Sequence, residues 1–94
     1  MSHEQSVQSA VEHVLARASE SWEELPEVER EIDGWRLEDQ IVFIEEWPLE
    51  ERRLRELAEY AHAGVMTTGQ RDRYEHLMKL VEYRRPIVER LLRS

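Results

Sequence analysis

Four histidines, His3, His13, His62 and His76, stand among 21 acidic side chains, the residue types from which metal sites and acid–base pairs are built. Glu59 and His62 match one half of the Glu-x-x-His pattern that carboxylate-bridged di-metal bundles use twice. The second half is missing, because Arg73 stands three before His76 and Ala10 three before His13. Asp72 and His76 lie four apart on one helical face but bring no third ligand and no nucleophile. A metal-binding or enzymatic bundle on Glu59, His62, Asp72 and His76 is therefore an alternative reading. The leading expectation is a chain without catalysis, metal or cofactor.

Paired carboxylates occur at Glu23-Glu24, Glu38-Asp39, Glu45-Glu46 and Glu50-Glu51. On a helix, adjacent residues splay by about 100°, so neither member of a pair supports the other. Acid–base work needs two carboxyls held in a cleft at different pKa values, whereas these pairs read as solvated helix faces. Phosphate cradles are absent: the glycines are Gly34, Gly64 and Gly69, and none precedes a Lys-Ser/Thr pair.

The formal net charge of -8 opposes nucleic-acid binding, which rests on neutralising phosphates. The arginines Arg52, Arg53, Arg55, Arg71, Arg73, Arg84, Arg85, Arg90 and Arg93 are interleaved with glutamates, and pairing with carboxylates on neighbouring helices or on a second subunit suits them better. A helix-turn-helix regulator near Gly64–Arg85 is a further alternative, but Asp72 and Glu75 would face the phosphates at the start of its second helix.

Charge is unevenly distributed. Residues 1–50 carry 14 acidic and 3 basic side chains, and residues 51–94 carry 7 acidic and 10 basic ones. The density peaks between Glu20 and Glu50, the segment that also holds Trp22, Trp35 and Trp47. Each tryptophan lies at or beside an expected helix end. The indoles could seal the ends of a bundle, or they could serve with Glu45 and Glu46 as anchors for a basic partner, since Trp is enriched at binding hot spots.

The elements that position these residues read as helices throughout, because apolar residues recur three and four apart. A first helix runs from Ser2 to Ala18 on Val7, Val11, Val14, Leu15 and Ala18, followed by a loop at Ser19–Trp22. A second starts at Pro26, where a first turn tolerates the missing N–H, and ends at Asp33-Gly34. A third covers Arg36–Glu46. Its stripe of Leu37, Ile41 and Ile44 points about 110° away from the later stripe of Leu54, Leu57, Ala58 and Ala61, so a break is expected at Trp47-Pro48. A fourth then reaches His62 and is stopped by Gly64. Thr67-x-x-Gln70 forms a capping box for the last helix, which stays in phase across Pro86 and should kink there.

This adds up to one all-α domain over residues 1–94, a small helical bundle of four to five helices. The last helix carries two adjacent stripes, the second made of Leu80, Ile87 and Leu91. With Arg84 and Arg85, that stripe is the expected homodimer interface. The amino terminus lacks the basic and apolar stretches of a signal peptide, no apolar run would span a membrane, and there is no cysteine, so a cytoplasmic setting is expected. The function expected is protein–protein interaction or regulation, with the acidic segment meeting a basic partner as an antitoxin-like inhibitor or adaptor would.

Overall fold

The computed structural model describes residues 3–93, which form α1 (His3–Glu31), α2 (Leu37–Ala63) and α3 (Thr68–Arg93), with a 3₁₀ turn at Ile32–Gly34. The all-helical expectation holds, and no strand occurs among the described residues. The expected four to five helices become three longer ones, because two expected interruptions are helical. A start at Ser2 lies outside the described residues.

The first interruption, Ser19–Trp22, is continuous helix. Val11, Leu15, Ala18, Trp22 and Leu25 form one fully buried stripe that passes straight through it. The polar residues between them occupy the outer face and do not break the apolar phase. Pro26 therefore lies inside α1 rather than opening a new helix. A proline there has no N–H for the carbonyl of Trp22 four residues earlier. Arg84 of α3 supplies the missing donor: its guanidinium donates to the Trp22 carbonyl at 3.2 Å and to the Glu23 carbonyl at 2.8 Å. We expect Arg84→Leu to cost about 1 kcal/mol in urea unfolding, since one acceptor it leaves is only part-buried and the other exposed. Pro26→Ala, which restores the helical donor, should recover part of that loss in the double variant. Strict additivity of the two substitutions would disprove the link.

α2 likewise runs through Pro48 without the expected break. Pro48 itself is exposed, and the carbonyl it leaves without a helical donor is that of Ile44. The two stripes do diverge, and the continuous helix buries only one: Leu54 and Leu57 are buried, while Leu37 is 68% and Ile41 44% exposed. α3 also continues as one helix through Pro86.

α1 and α3 run parallel in a fixed register. Arg73 pairs with Glu12, Arg84 with the Glu23 carbonyl and Arg90 with Glu29, each across 61 residues of chain. α2 runs alongside them in the opposite direction, placing Trp47 beside Trp22 and Glu51 beside Arg85. The helices lie lengthwise in a body of 47 × 25 × 17 Å. Arg73 and Gln70 hold the Glu12 carboxyl below its ordinary range, first by the Arg73 hydrogen bond and then by that from Gln70.

The α2–α3 link is fixed at both ends. Gly64 adopts the left-handed conformation (φ 73°), and its N–H reaches the Ala61 carbonyl while that of Val65 reaches Tyr60. The expected capping box is present and reciprocal: the Gln70 N–H donates to Thr67 Oγ1, and the Thr67 N–H donates to Gln70 Oε1, both at 3.1 Å. The buried Gln70 amide also donates to the Gln8 carbonyl and to Glu12, which ties the start of α3 to α1.

Candidate functional site

The connector between α1 and α2 sets the geometry of the acidic segment. Ile32 is buried, the Trp35 N–H closes the turn onto the Ile32 carbonyl at 3.0 Å, and Trp35 leaves in extended conformation. The Gln40 amide donates to the carbonyls of both Ile32 (2.7 Å) and Trp35 (3.2 Å), clamping the connector onto the first turn of α2. Trp35 is thereby laid edge-on against Phe43 with ring centres 6.2 Å apart. Phe43 leans on Trp47 at 5.6 Å, and Trp47 meets Trp22 edge-on at 5.2 Å. Four rings form a file from the surface to the core.

Beside the outer part of this file runs a groove of about 230 Å³ between α1 and α2. Trp35, Phe43 and Trp47 form its aromatic wall, and Glu24, Glu46 and Glu50 supply carboxylates; Ser21 and Val28 complete it, with no residue from α3. Glu24 and Glu46 are exposed. Glu50 is half-buried: its Oε2 accepts from Arg53 at 2.7 Å, while its Oε1 is buried without a hydrogen-bond partner. The polar edge of Trp47 points elsewhere, its Nε1–H donating to Glu51 Oε2 at 2.8 Å. Glu51 Oε2 also accepts from Arg85 at 2.6 Å, and the Arg85 guanidinium lies over the Trp22 ring, 5.0 Å from its centre.

Of the residues expected to bind a partner, the structure brings Trp35, Trp47 and Glu46 to this groove. Glu45 is exposed but does not line it. Trp22 is fully buried and Trp47 only 3% exposed, so neither protrudes as an anchor: Trp22 belongs to the core, and Trp47 shows only its groove side. Phe43 went unnoticed in the sequence, and Glu24 and Glu50 were read only as members of solvated carboxylate pairs. The only available signal was the i, i+4 spacing of Phe43 with Trp47 and of Glu46 with Glu50.

The residues expected at a dimer interface are largely engaged within the chain. Leu91 is 6% exposed, Leu80 and Ile87 pack against the core, and Arg84 and Arg85 make the contacts described above. Glu59, His62, Asp72 and His76 are all exposed, and no group of three or more potential metal ligands occurs among the described residues. The Gly64–Thr67 link joins two long antiparallel helices, not the short crossed pair of a helix-turn-helix. Among the described residues, no helix is long and apolar enough to cross a membrane. No protein-family model matches the chain, and neither a characterised protein nor a solved structure shows significant similarity to it.

Proposed function

We propose that this chain is a non-catalytic interaction protein whose acidic α1–α2 face receives a basic protein partner, in the manner of an adaptor or an antitoxin-like inhibitor. One observation carries the reading: the segment from Glu20 to Glu50 holds 12 acidic side chains against only Arg30 and Arg36. Glu12, Glu29 and Glu51 are matched by Arg73, Arg90 and Arg85 on α3, and Glu50 by Arg53. Glu24, Glu27, Glu31, Glu45 and Glu46, all exposed, have no ion-pair partner among the described residues. Such a surface attracts a basic partner at a distance and sets its orientation more than its ultimate affinity.

Capture experiments on cell extract test this directly. Wild type should retain basic proteins at about 0.01 M ionic strength, where the screening length is about 30 Å, and retain them less at about 0.15 M, where it is about 8 Å. The variant Glu24→Gln/Glu27→Gln/Glu45→Gln/Glu46→Gln should lose them. Equal capture by both proteins, or capture of no basic protein, would count against the proposal.

A further inference from the structure

We propose that the groove between α1 and α2 is a receptor for one arginine side chain of that basic partner, with the guanidinium held against Trp35, Phe43 and Trp47 and paired with Glu46 and Glu50. The inference rests on the acidic-face reading and names the group that the face would recognise.

The chemistry of the wall and the rim points to a cation that is also flat. Aromatic faces carry a negative quadrupole, so Trp35, Phe43 and Trp47 attract a cation without having to donate a hydrogen bond. Carboxylates on the same groove add charge and acceptors, as a guanidinium with five N–H groups requires. Glu50 gives the sharpest indication. Its Oε2 is occupied by Arg53, its Oε1 is buried with no donor, and Glu50 is one of the residues lining the groove. The terminal torsion of a glutamate is soft, so a small rotation presents that oxygen to an incoming donor.

The molecule already contains one example of the arrangement. On the opposite side of the Trp22–Trp47 pair, Arg85 lies over an indole and is paired with Glu51, which also receives the Trp47 N–H. The groove offers a second indole-and-carboxylate setting without an arginine in it. Guanidinium suits it better than ammonium, because it stacks on rings, pairs bidentately and is more weakly hydrated.

Titration of the ¹⁵N-labelled full chain with a short arginine–glycine peptide, followed through the three indole N–H resonances, tests the proposal without any substitution. The Trp35 resonance should move most and that of Trp22, behind the groove, least. The same peptide with lysine should bind several-fold more weakly, and the uncharged citrulline version should not bind. Trp35→Leu and Glu46→Gln/Glu50→Gln should each weaken arginine-peptide binding by about tenfold, which is about 1.4 kcal/mol. Circular dichroism confirms that each variant is folded.

If the peptide binds but leaves Trp35 unmoved and is indifferent to Trp35→Leu, the groove proposal fails and the acidic-face reading stands. Equal affinity for the lysine peptide overturns the guanidinium assignment. Failure of every basic peptide to bind overturns the groove proposal, and failure of low-salt capture as well removes the broader reading.

Discussion

Trp22→Ala is expected to cost about 3–5 kcal/mol, the range for deleting a buried aromatic side chain, and so to consume much of a stability that for a domain is about 5–15 kcal/mol. Trp22 is wholly buried, meets Trp47 edge-on, carries Arg85 over its ring and lies in the stripe of α1 that faces both other helices. Its loss would empty the point where the three helices meet. The midpoint of thermal unfolding should fall by about 12–40 °C, given about 4–8 °C per kcal/mol for a domain of this size. Trp22→Phe provides the control. The Trp22 indole N–H is buried without a partner, and phenylalanine removes that unsatisfied donor while keeping a ring in place. The phenylalanine variant should therefore lose only about 1 kcal/mol. If the two variants were equally damaging, the volume of the ring would not be what holds the helices together.

Glu51→Leu should have the second-largest effect, about 2–3 kcal/mol in urea unfolding, because one carboxylate oxygen serves two donors. Glu51 Oε2 accepts from the Trp47 indole at 2.8 Å and from Arg85 at 2.6 Å. The Arg85 side chain is 38% exposed, so water screens its share of the loss. The indole N–H of Trp47, a residue only 3% exposed, has no such relief and should account for most of the penalty. In a Trp47→Phe background, where that donor is gone, the cost of Glu51→Leu should shrink to the surface-pair range of about 0–1 kcal/mol. An undiminished cost in that background would place the effect elsewhere.

Helical character was readable from spacing alone, and so were the stop at Gly64 and the capping box at Thr67, because each depends on residues near in sequence. Helix number was not. Pro26 and Pro48 read as starts, since local rules favour proline in a first turn. Whether a helix tolerates an interior proline depends on what satisfies the freed carbonyl. For Pro26 that group is Arg84, which lies 62 residues beyond the Trp22 carbonyl it serves. The phase argument at Pro48 was sound in its premise: the stripes of α2 do point apart. Its conclusion assumed that both must be buried, whereas Leu37 and Ile41 stay exposed on a continuous helix. Arginine–carboxylate pairing was legible in kind but not in partner. The groove was the least legible feature, because Glu24 and Phe43 belong to different helices and meet only through the antiparallel return of α2.

The register shared by α1 and α3 also dictates an order of events during synthesis. Glu12, Glu23 and Glu29 each find their arginine-bearing partner 61 residues later. α1 packs more extensively on α3 than on α2, so a growing chain that has released only its first two helices still exposes much of the Val11–Leu25 stripe. The helix that emerges last supplies both the missing apolar cover and the cations that fix alignment. Contacts this distant in sequence slow folding and lengthen the interval in which apolar surface is open to other molecules. The acidic first half keeps the unfinished chain strongly charged during that interval, and like-charged chains repel one another until the arginines arrive.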